Sequence, residues 1–128
     1  MKKAKSNNGK YVDGFVLVVP KANRNKYKKM AEEGKKLSLK LGALDYKECV
    51  MEDAKPMGMP TNFIKMAKPK ANEEVWFSFI TFKSRAHRDA VNKKVWTYYS
   101  KKYANASFDD MPFDMKRMAH AGFKVIVG

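Results

Sequence analysis

Two segments that are apolar on both faces constrain the fold of this chain more than any other feature. Tyr11–Val19 and Glu74–Phe82 are rich in β-branched and aromatic residues, a composition typical of strands. Alternate residues of a strand point to opposite faces of its sheet, so each segment presents large apolar side chains in both directions. We therefore expect both strands to lie inside a sheet that is covered on its two faces.

Helical patterns follow each of these two strands. Ala22–Leu41 carries apolar residues at spacings of three and four, which predicts an amphipathic helix with Asn23 as its N-cap. Gly42 follows as the glycine that commonly ends a helix. A second helix is predicted to begin after Ser84, acting as N-cap, and to run to about Tyr103.

Weaker patterns supply the remaining elements. Ala43–Met51 alternates as a strand but is more polar than the first two, as expected for a strand at the edge of a sheet. Met118–Val127 is predicted to be the final strand. Residues 61–68 fit either a short strand or a helical turn, and their pattern does not decide between the two.

The predicted order β-α-β-β-α-β indicates an α+β fold of the ferredoxin-like kind, with a four-stranded antiparallel sheet. We expect residues 1–10 to be a flexible basic tail and residues 11–128 to form a single domain. Two helices in this order cover one sheet face and leave large apolar residues on the other. A second copy packed against that face is the simplest cover, so we predict a homodimer joined through sheet faces.

The net charge of +14 raises the question of a polyanionic partner. Lysines outnumber arginines by 23 to 4 and are spread along the whole chain, which favours a solvated surface over a dedicated nucleic-acid patch. Arginine is scarce, although it is the residue that makes bidentate hydrogen bonds to bases and phosphates. A basic nucleic-acid-binding module that uses lysines and the aromatic residues Trp96, Tyr99 and Tyr103 remains the alternative.

Cysteine content and hydropathy indicate the compartment. The chain has one cysteine, Cys49, so it cannot form an internal disulfide of the sort that small secreted domains use. The basic N-terminus is not followed by the apolar run of a signal peptide, and no stretch approaches 18 apolar residues. We expect a cytoplasmic protein that does not cross a membrane.

Several short motifs resemble the YbaA-like family of bacterial domains of unknown function, over about residues 10–127. The most specific run is the segment from Met111 to Met118, because no general fold rule demands it. The other motifs that carry the resemblance are Tyr11-Val12-Asp13-Gly14-Phe15, Glu48-Cys49, Glu73-Glu74-Val75-Trp76-Phe77-Ser78 and Gly122-Phe123. The resemblance implies a dimeric α+β barrel and no established activity. Relatives of that architecture include cofactor-independent monooxygenases, an analogy of fold alone.

Polar residues embedded in the apolar strands are the first candidates for a site. Asp13 lies within the first strand, where a carboxylate must be paired or must serve a ligand as base or hydrogen-bond acceptor. Glu48 and Cys49 lie on opposite faces of their strand. Glu48 could act as an acid or a base, whereas a lone Cys49 fits a small core residue better than a nucleophile.

The remaining candidates lie near the two later strands. Arg117 could bind an anionic group while Asp114 orients it, although an Asp–Arg brace for the loop is favoured over this. His120 shares a strand face with Gly122 and fits a structural histidine better than a metal ligand. Trp76 and Ser78 share a face and could line a pocket.

These features predict a homodimer that binds a small, partly apolar molecule between the sheet and a helix. Whether the protein also turns that molecule over stays open, since the sequence contains no established catalytic motif. No metal site and no cofactor are predicted. The ligand-binding candidates are Asp13, Glu48, Trp76, Ser78, Asp114, Arg117 and His120.

Overall fold

The fold consists of four strands and three α-helices in the computed structural model, which describes residues 9–128. The predicted basic tail therefore lies outside the described residues, except for Gly9 and Lys10. Seven elements make up the fold: β1 (Tyr11–Pro20), α1 (Arg24–Lys40), β2 (Asp45–Val50), α2 (Phe63–Ala67), β3 (Glu73–Phe82), α3 (Arg85–Lys102) and β4 (Ala119–Lys124). The predicted α+β class with a four-stranded antiparallel sheet is confirmed.

The sheet has the order β2-β3-β1-β4, with every neighbouring pair antiparallel. The two apolar strands β1 and β3 occupy the centre and pair along their full lengths, from Tyr11 opposite Phe82 to Pro20 opposite Glu73. The more polar strand β2 forms one edge, as its composition predicts. Successive side chains along each strand alternate between the two faces of the sheet.

Helices α1 and α3 cover one face of the sheet, which we call the helix face. Beneath α1, Tyr27 packs edge-on against Trp76, with 5.0 Å between ring centroids. Beneath α3, Val91 and Phe82 are buried in a second cluster. The core residues are Leu17, Val19, Tyr27, Ala31, Trp76 and Phe113 under α1, and Tyr11, Ala43, Phe82 and Val91 under α3. Each large apolar side chain buried here contributes about 2 kcal/mol.

The helix ends differ in how well the sequence predicts them. Ser84 caps α3 as predicted, because its Oγ accepts a hydrogen bond of 3.0 Å from the backbone N–H of His87. Gly42 has a positive φ of 121° after α1, as the predicted terminating glycine requires. Asn23 occupies the N-cap position of α1 as predicted, but its side chain makes no capping hydrogen bond and instead donates to the carbonyl of Pro112 at 3.1 Å.

The segment that could not be assigned from sequence forms the short helix α2. Asn62 caps it by accepting from the backbone N–H of Lys65 at 3.0 Å, and Lys68 ends it in the left-handed conformation with a φ of 51°. The Phe63 ring lies 6.4 Å from that of Phe77, which points away from the helix face. Helix α2 therefore packs on the opposite side of the sheet from α1 and α3.

The opposite side, which we call the open face, stays largely uncovered in the single chain. Phe77 on β3 is 42% exposed and Phe123 on β4 is 56% exposed. Strand β4 ends at Lys124, earlier than predicted, and leaves Ile126 and Val127 exposed beyond it. The expectation that one face retains a large apolar surface agrees with this arrangement.

Within residues 9–128, no helix has both the length and the apolar character that crossing a bilayer requires.

Candidate functional site

Asp13 lies fully buried on the helix face, at the centre of a polar cluster. Its Oδ2 accepts a hydrogen bond of 3.0 Å from the side-chain amide of Asn92 on α3. Its Oδ1 lies 3.5 Å from Nε of Arg88 on α3 and 3.5 Å from Nε2 of His120 on β4. The carboxylate thus has partners on two elements that flank β1, which is how a buried charge is normally tolerated.

Gly122 makes room for this cluster. Arg88 donates through Nη2 to the hydroxyl of Tyr11 at 2.9 Å, and its guanidinium lies 5.0 Å from the centre of the Tyr11 ring. A Cβ on Gly122 would lie 2.3 Å from that hydroxyl and 2.5 Å from Nη2 of Arg88. Only glycine therefore allows Tyr11 and Arg88 to lie flat over β4.

This geometry makes the Asp13 cluster a brace between α3 and the sheet. Oδ1 of Asp13 is buried and accepts no hydrogen bond within residues 9–128, so its contacts there are the ion pairs with Arg88 and His120. His120 stacks on the ring of Phe15, with 4.3 Å between centroids and an interplanar angle of 5°. The cluster shows how the carboxylate is held in the sheet by groups from α3 and β4.

Arg117 braces a loop, as the favoured interpretation predicts, but with a different carboxylate. Its guanidinium donates to both oxygens of Glu73, at 2.7 and 3.0 Å, and to the carbonyl of Lys68 at 3.0 Å. The predicted orienting residue Asp114 instead accepts from the backbone N–H of Lys116 at 2.9 Å and caps a short 3-10 turn. Arg117 is therefore committed to holding β3 and the end of α2 in place.

A groove lies between α1 and the β2 edge of the sheet, with a volume of about 360 Å³. Trp76 and Ala31 supply its apolar wall and Glu48 the carboxylate on its floor. We call it the α1 groove, and its lining residues are Lys28, Ala31, Glu32, Lys35, Tyr46, Lys47, Glu48, Cys49 and Trp76. Three residues singled out from the sequence, Glu48, Trp76 and Cys49, meet here.

Glu48 is half-buried and is held by hydroxyl groups. Its Oε1 accepts from the hydroxyl of Tyr27 and its Oε2 from that of Tyr46, both at 2.8 Å. Ser78, which pairs with Glu48 in the β2–β3 ladder, adds a third hydroxyl. Burial raises the pKa of Glu48, while the hydrogen bonds from Tyr46, Tyr27 and Ser78 oppose that rise. The same burial, together with the negative charge of Glu48, raises the pKa of both tyrosines.

Gly34 lets helix α1 pass close to this network. A Cβ at this position would lie 3.1 Å from the hydroxyl oxygen of Tyr46 and 3.6 Å from that of Tyr99. The contact with Tyr46 would be tighter than an ordinary one and would require a small shift, so the absence of a side chain keeps Tyr46 in place beneath the helix. The floor of the groove is thereby fixed from above as well as from the sheet.

Cys49 lies at the margin of the groove and is exposed. It points to the open face with Phe77, opposite in direction to Glu48, as strand alternation predicts. The interpretation of Cys49 as a small core residue is therefore wrong. The edge position of β2 leaves one side of this strand without a neighbour, which explains the exposure.

The structure divides the candidate residues among three places. Glu48 and Trp76 line the groove, with Ser78 behind Glu48. Asp13 and His120 form the brace, and Asp114 and Arg117 lie in the loop before β4. Sequence reasoning did not single out Tyr27, Tyr46, Arg88 or Asn92. Of these, Tyr46 could have been found, because it lies two residues before Glu48 and so shares its strand face.

Within residues 9–128, no three histidine, cysteine, aspartate or glutamate side chains group as metal ligands would.

The fold and the groove define a small α+β protein with a four-stranded antiparallel sheet and a candidate ligand site beside its edge strand. Residues 10–115 match the family described as "Protein of unknown function (DUF1428)", and the chain belongs to that family. It is 42% identical to Uncharacterized protein YbaA of Escherichia coli (strain K12) over 118 residues, which are 92% of this chain and 97% of the relative. Uncharacterized protein YbaA of Shigella flexneri matches with the same identity and coverage. The predicted resemblance is confirmed.

Removing the cation from the brace tests its structural role. We expect Arg88→Met to lower the free energy of unfolding by about 3 kcal/mol, because Asp13 would then be buried without its arginine. Arg85→Met on the same helix is the matched control, since Arg85 is exposed and its one ion pair within residues 9–128 is with Asp89, at 3.8 Å. Its expected change is within about 0.5 kcal/mol. Urea denaturation measures both, and equal losses would contradict the brace.

The raised pKa of Glu48 predicts how stability depends on pH. The folded protein holds this proton more tightly than the unfolded chain, so the contribution of Glu48 to stability falls as pH rises from the ordinary carboxyl pKa through the raised one. The free energy of unfolding of Glu48→Gln should therefore rise relative to that of the unmodified protein as pH increases through that window. Above the window the difference between the two should stay constant.

Urea denaturation over a series of pH values checks this dependence. The control Glu52→Gln changes an exposed carboxylate outside the groove and should leave the pH profile unaltered. A constant difference between Glu48→Gln and the unmodified protein at all pH values would show that the pKa of Glu48 is not raised.

Proposed function

We propose that this protein binds a small, partly apolar molecule in the α1 groove. The observation that carries the proposal is a half-buried carboxylate, Glu48, on the floor of a groove walled by Trp76. Ligand sites typically combine apolar walls with a few fixed polar groups that orient the bound molecule. Glu48 fits that role because two tyrosine hydroxyls hold its carboxylate in one position.

The dimensions of the groove limit what it can hold. Its volume of about 360 Å³ lies at the lower end of the ~300–1,000 Å³ range of ligand pockets, which supports a small metabolite. Of the candidate residues, Glu48 and Trp76 would contact the molecule and Ser78 would support Glu48. Turnover is an extension of this proposal, in which the raised pKa of Glu48 suits it to donate or accept a proton.

We further infer a ferredoxin-like fold that forms a homodimer through its open faces. Strand β3 lies between β1 and β2, which is the split arrangement of ferredoxin-like domains, although the additional helix α2 interrupts the β2–β3 connection. The exposed rings of Phe77 and Phe123 would be covered by the same face of a second copy. A cytoplasmic location is part of this proposal, supported by the single cysteine.

Nucleic-acid binding is the alternative function, and two exposed features favour it. Trp96 on α3 is 71% exposed, and Lys26, Lys28 and Lys29 line a shallow depression on α1. Exposed aromatic rings and lysines together suit single-stranded nucleic acid. Oligonucleotide binding that falls steeply with salt and is lost on Trp96→Ala would favour this alternative over the groove.

A native mass spectrum of gently purified protein tests the binding proposal. We expect a discrete small adduct that disappears when the protein is denatured and refolded. Glu48→Gln should lower the affinity for the adduct at least about tenfold and so reduce the fraction of protein that carries it. The reason is that a hydrogen bond to a charged group is worth about 1.5–3 kcal/mol. The control Glu33→Gln changes an exposed α1 carboxylate that pairs with Lys102 outside the groove. Equal occupancy in both variants would remove Glu48 from the site.

A charge on the open face tests the dimer. We expect Phe77→Asp to be monomeric while the unmodified protein is dimeric, because burying an unpaired carboxylate between two sheets is costly. Trp96→Asp is the control, since it replaces an even more exposed apolar ring on the helix side. Sedimentation equilibrium measures the mass, with circular dichroism to show that both variants fold. A monomeric unmodified protein would overturn the dimer.

A further inference from the structure

The charge of Glu48 is not balanced by a cation inside the fold. Its partners Tyr27, Tyr46 and Ser78 all contribute neutral hydroxyls. In the part of the chain that the structure describes, none of the ion pairs includes Glu48. Partly buried charges are normally paired, so the floor of the α1 groove carries a negative charge that still lacks its counterpart.

The carboxylate also retains room for one more hydrogen bond. An ionised carboxylate offers about four acceptor positions on its two oxygens. Tyr27 and Tyr46 each occupy one, and Ser78 contributes a third contact. A positively charged N–H donor from a bound molecule would fill the remaining position and supply the missing charge. Such charge-assisted bonds are about twice as strong as neutral ones.

The mouth of the groove has the opposite sign. Lys28 and Lys35 lie seven residues apart on α1, which places them two turns apart on the same side of the helix. Neither forms an ion pair among residues 9–128, whereas Lys47 on the β2 side pairs with Asp45 at 3.3 Å. Glu32 is the one acidic residue that lines the mouth with them. The mouth therefore attracts an anionic group.

Apolar side chains complete the lining of the groove. Trp76 is only 7% exposed and is held by the edge-on ring of Tyr27, so its position in the groove is fixed. Ala31 lies on α1 between Lys28 and Lys35 and keeps the helix side of the groove shallow. A flat apolar body fits against the indole, while charged groups attached to it face the carboxylate and the lysines that line the same groove.

We propose that the occupant of the α1 groove is a small amphoteric molecule with an apolar body. Its protonated amine binds Glu48, its carboxylate or other acidic group binds Lys28 and Lys35, and its apolar part lies against Trp76. This assignment rests on the proposed binding function and adds the chemical class of the ligand. Amino acids with apolar side chains, and molecules of similar size and charge, belong to that class.

Three probes that share a phenyl ring separate the contribution of each charge. Phenylalanine carries both groups, phenethylamine carries only the amine, and 3-phenylpropanoate carries only the acid. Binding is followed by the NMR signal of the Trp76 indole N–H, which is one of only two in the chain and is identified with Trp96→Phe. We expect phenylalanine to bind at least about tenfold more tightly than either singly charged probe.

Two variants assign the charges to residues. Glu48→Gln should reduce the affinity for phenylalanine to that for 3-phenylpropanoate, because it removes the partner of the amine. The double variant Lys28→Gln/Lys35→Gln should reduce it to that for phenethylamine. Lys40→Gln is the control, since Lys40 lies on the same helix but does not line the groove, and its affinities should be unchanged.

The outcomes separate the ligand class from the binding function. If all three probes shift the Trp76 signal with equal affinity, the groove binds apolar molecules but the amphoteric class is wrong. If no probe shifts the signal at any concentration, the groove does not bind small aromatic molecules and the proposed function itself fails. The preference for phenylalanine, lost in Glu48→Gln and retained in Lys40→Gln, would support both.

Discussion

The buried carboxylate of Asp13 is the interaction on which the helix side of this structure depends. It lies in a central strand, where an unpaired charge would be costly, and its partners come from two other elements. Asn92 and Arg88 hold α3 above β1, and His120 brings in β4. One charge therefore fixes where α3 lies. Helix α3 is in turn linked to α1, because Lys102 at the end of α3 pairs with Glu33 on α1. The position of α3 therefore also influences where α1 lies.

Asp13 and Glu48, two of the carboxylates on the helix face, have different kinds of partners. Asp13 is enclosed by groups that include a cation and has no access to solvent, which suits a structural role. Glu48 is surrounded by neutral hydroxyls at the edge of a groove, where its charge stays available. Burial alone would not separate these roles. What separates them is the identity of their partners, together with the groove that Glu48 lines.

The sequence predicts most of the fold because its signals are local. Ser84 and Gly42 define helix ends through residues close by in the chain, and the central strands follow from their own composition. The brace could not be predicted, because Arg88 reaches Tyr11 across 77 positions of sequence. Asn23 stands at the N-cap position as predicted, but its hydrogen bond to the carbonyl of Pro112, 89 positions away in sequence, could not be predicted for a similar reason. Glu48 was found as a residue, but its groove depends on how α1 packs.

The exposed thiol of Cys49 has a practical consequence. It belongs to the strand that forms the edge of the α1 groove, yet it points toward the open face beside Phe77. Because the chain has no other cysteine, a thiol-directed fluorophore or spin label would attach at this one position without any engineering. A single probe would then lie at the boundary between the α1 groove and the open face. Its signal would respond to a molecule bound at either surface.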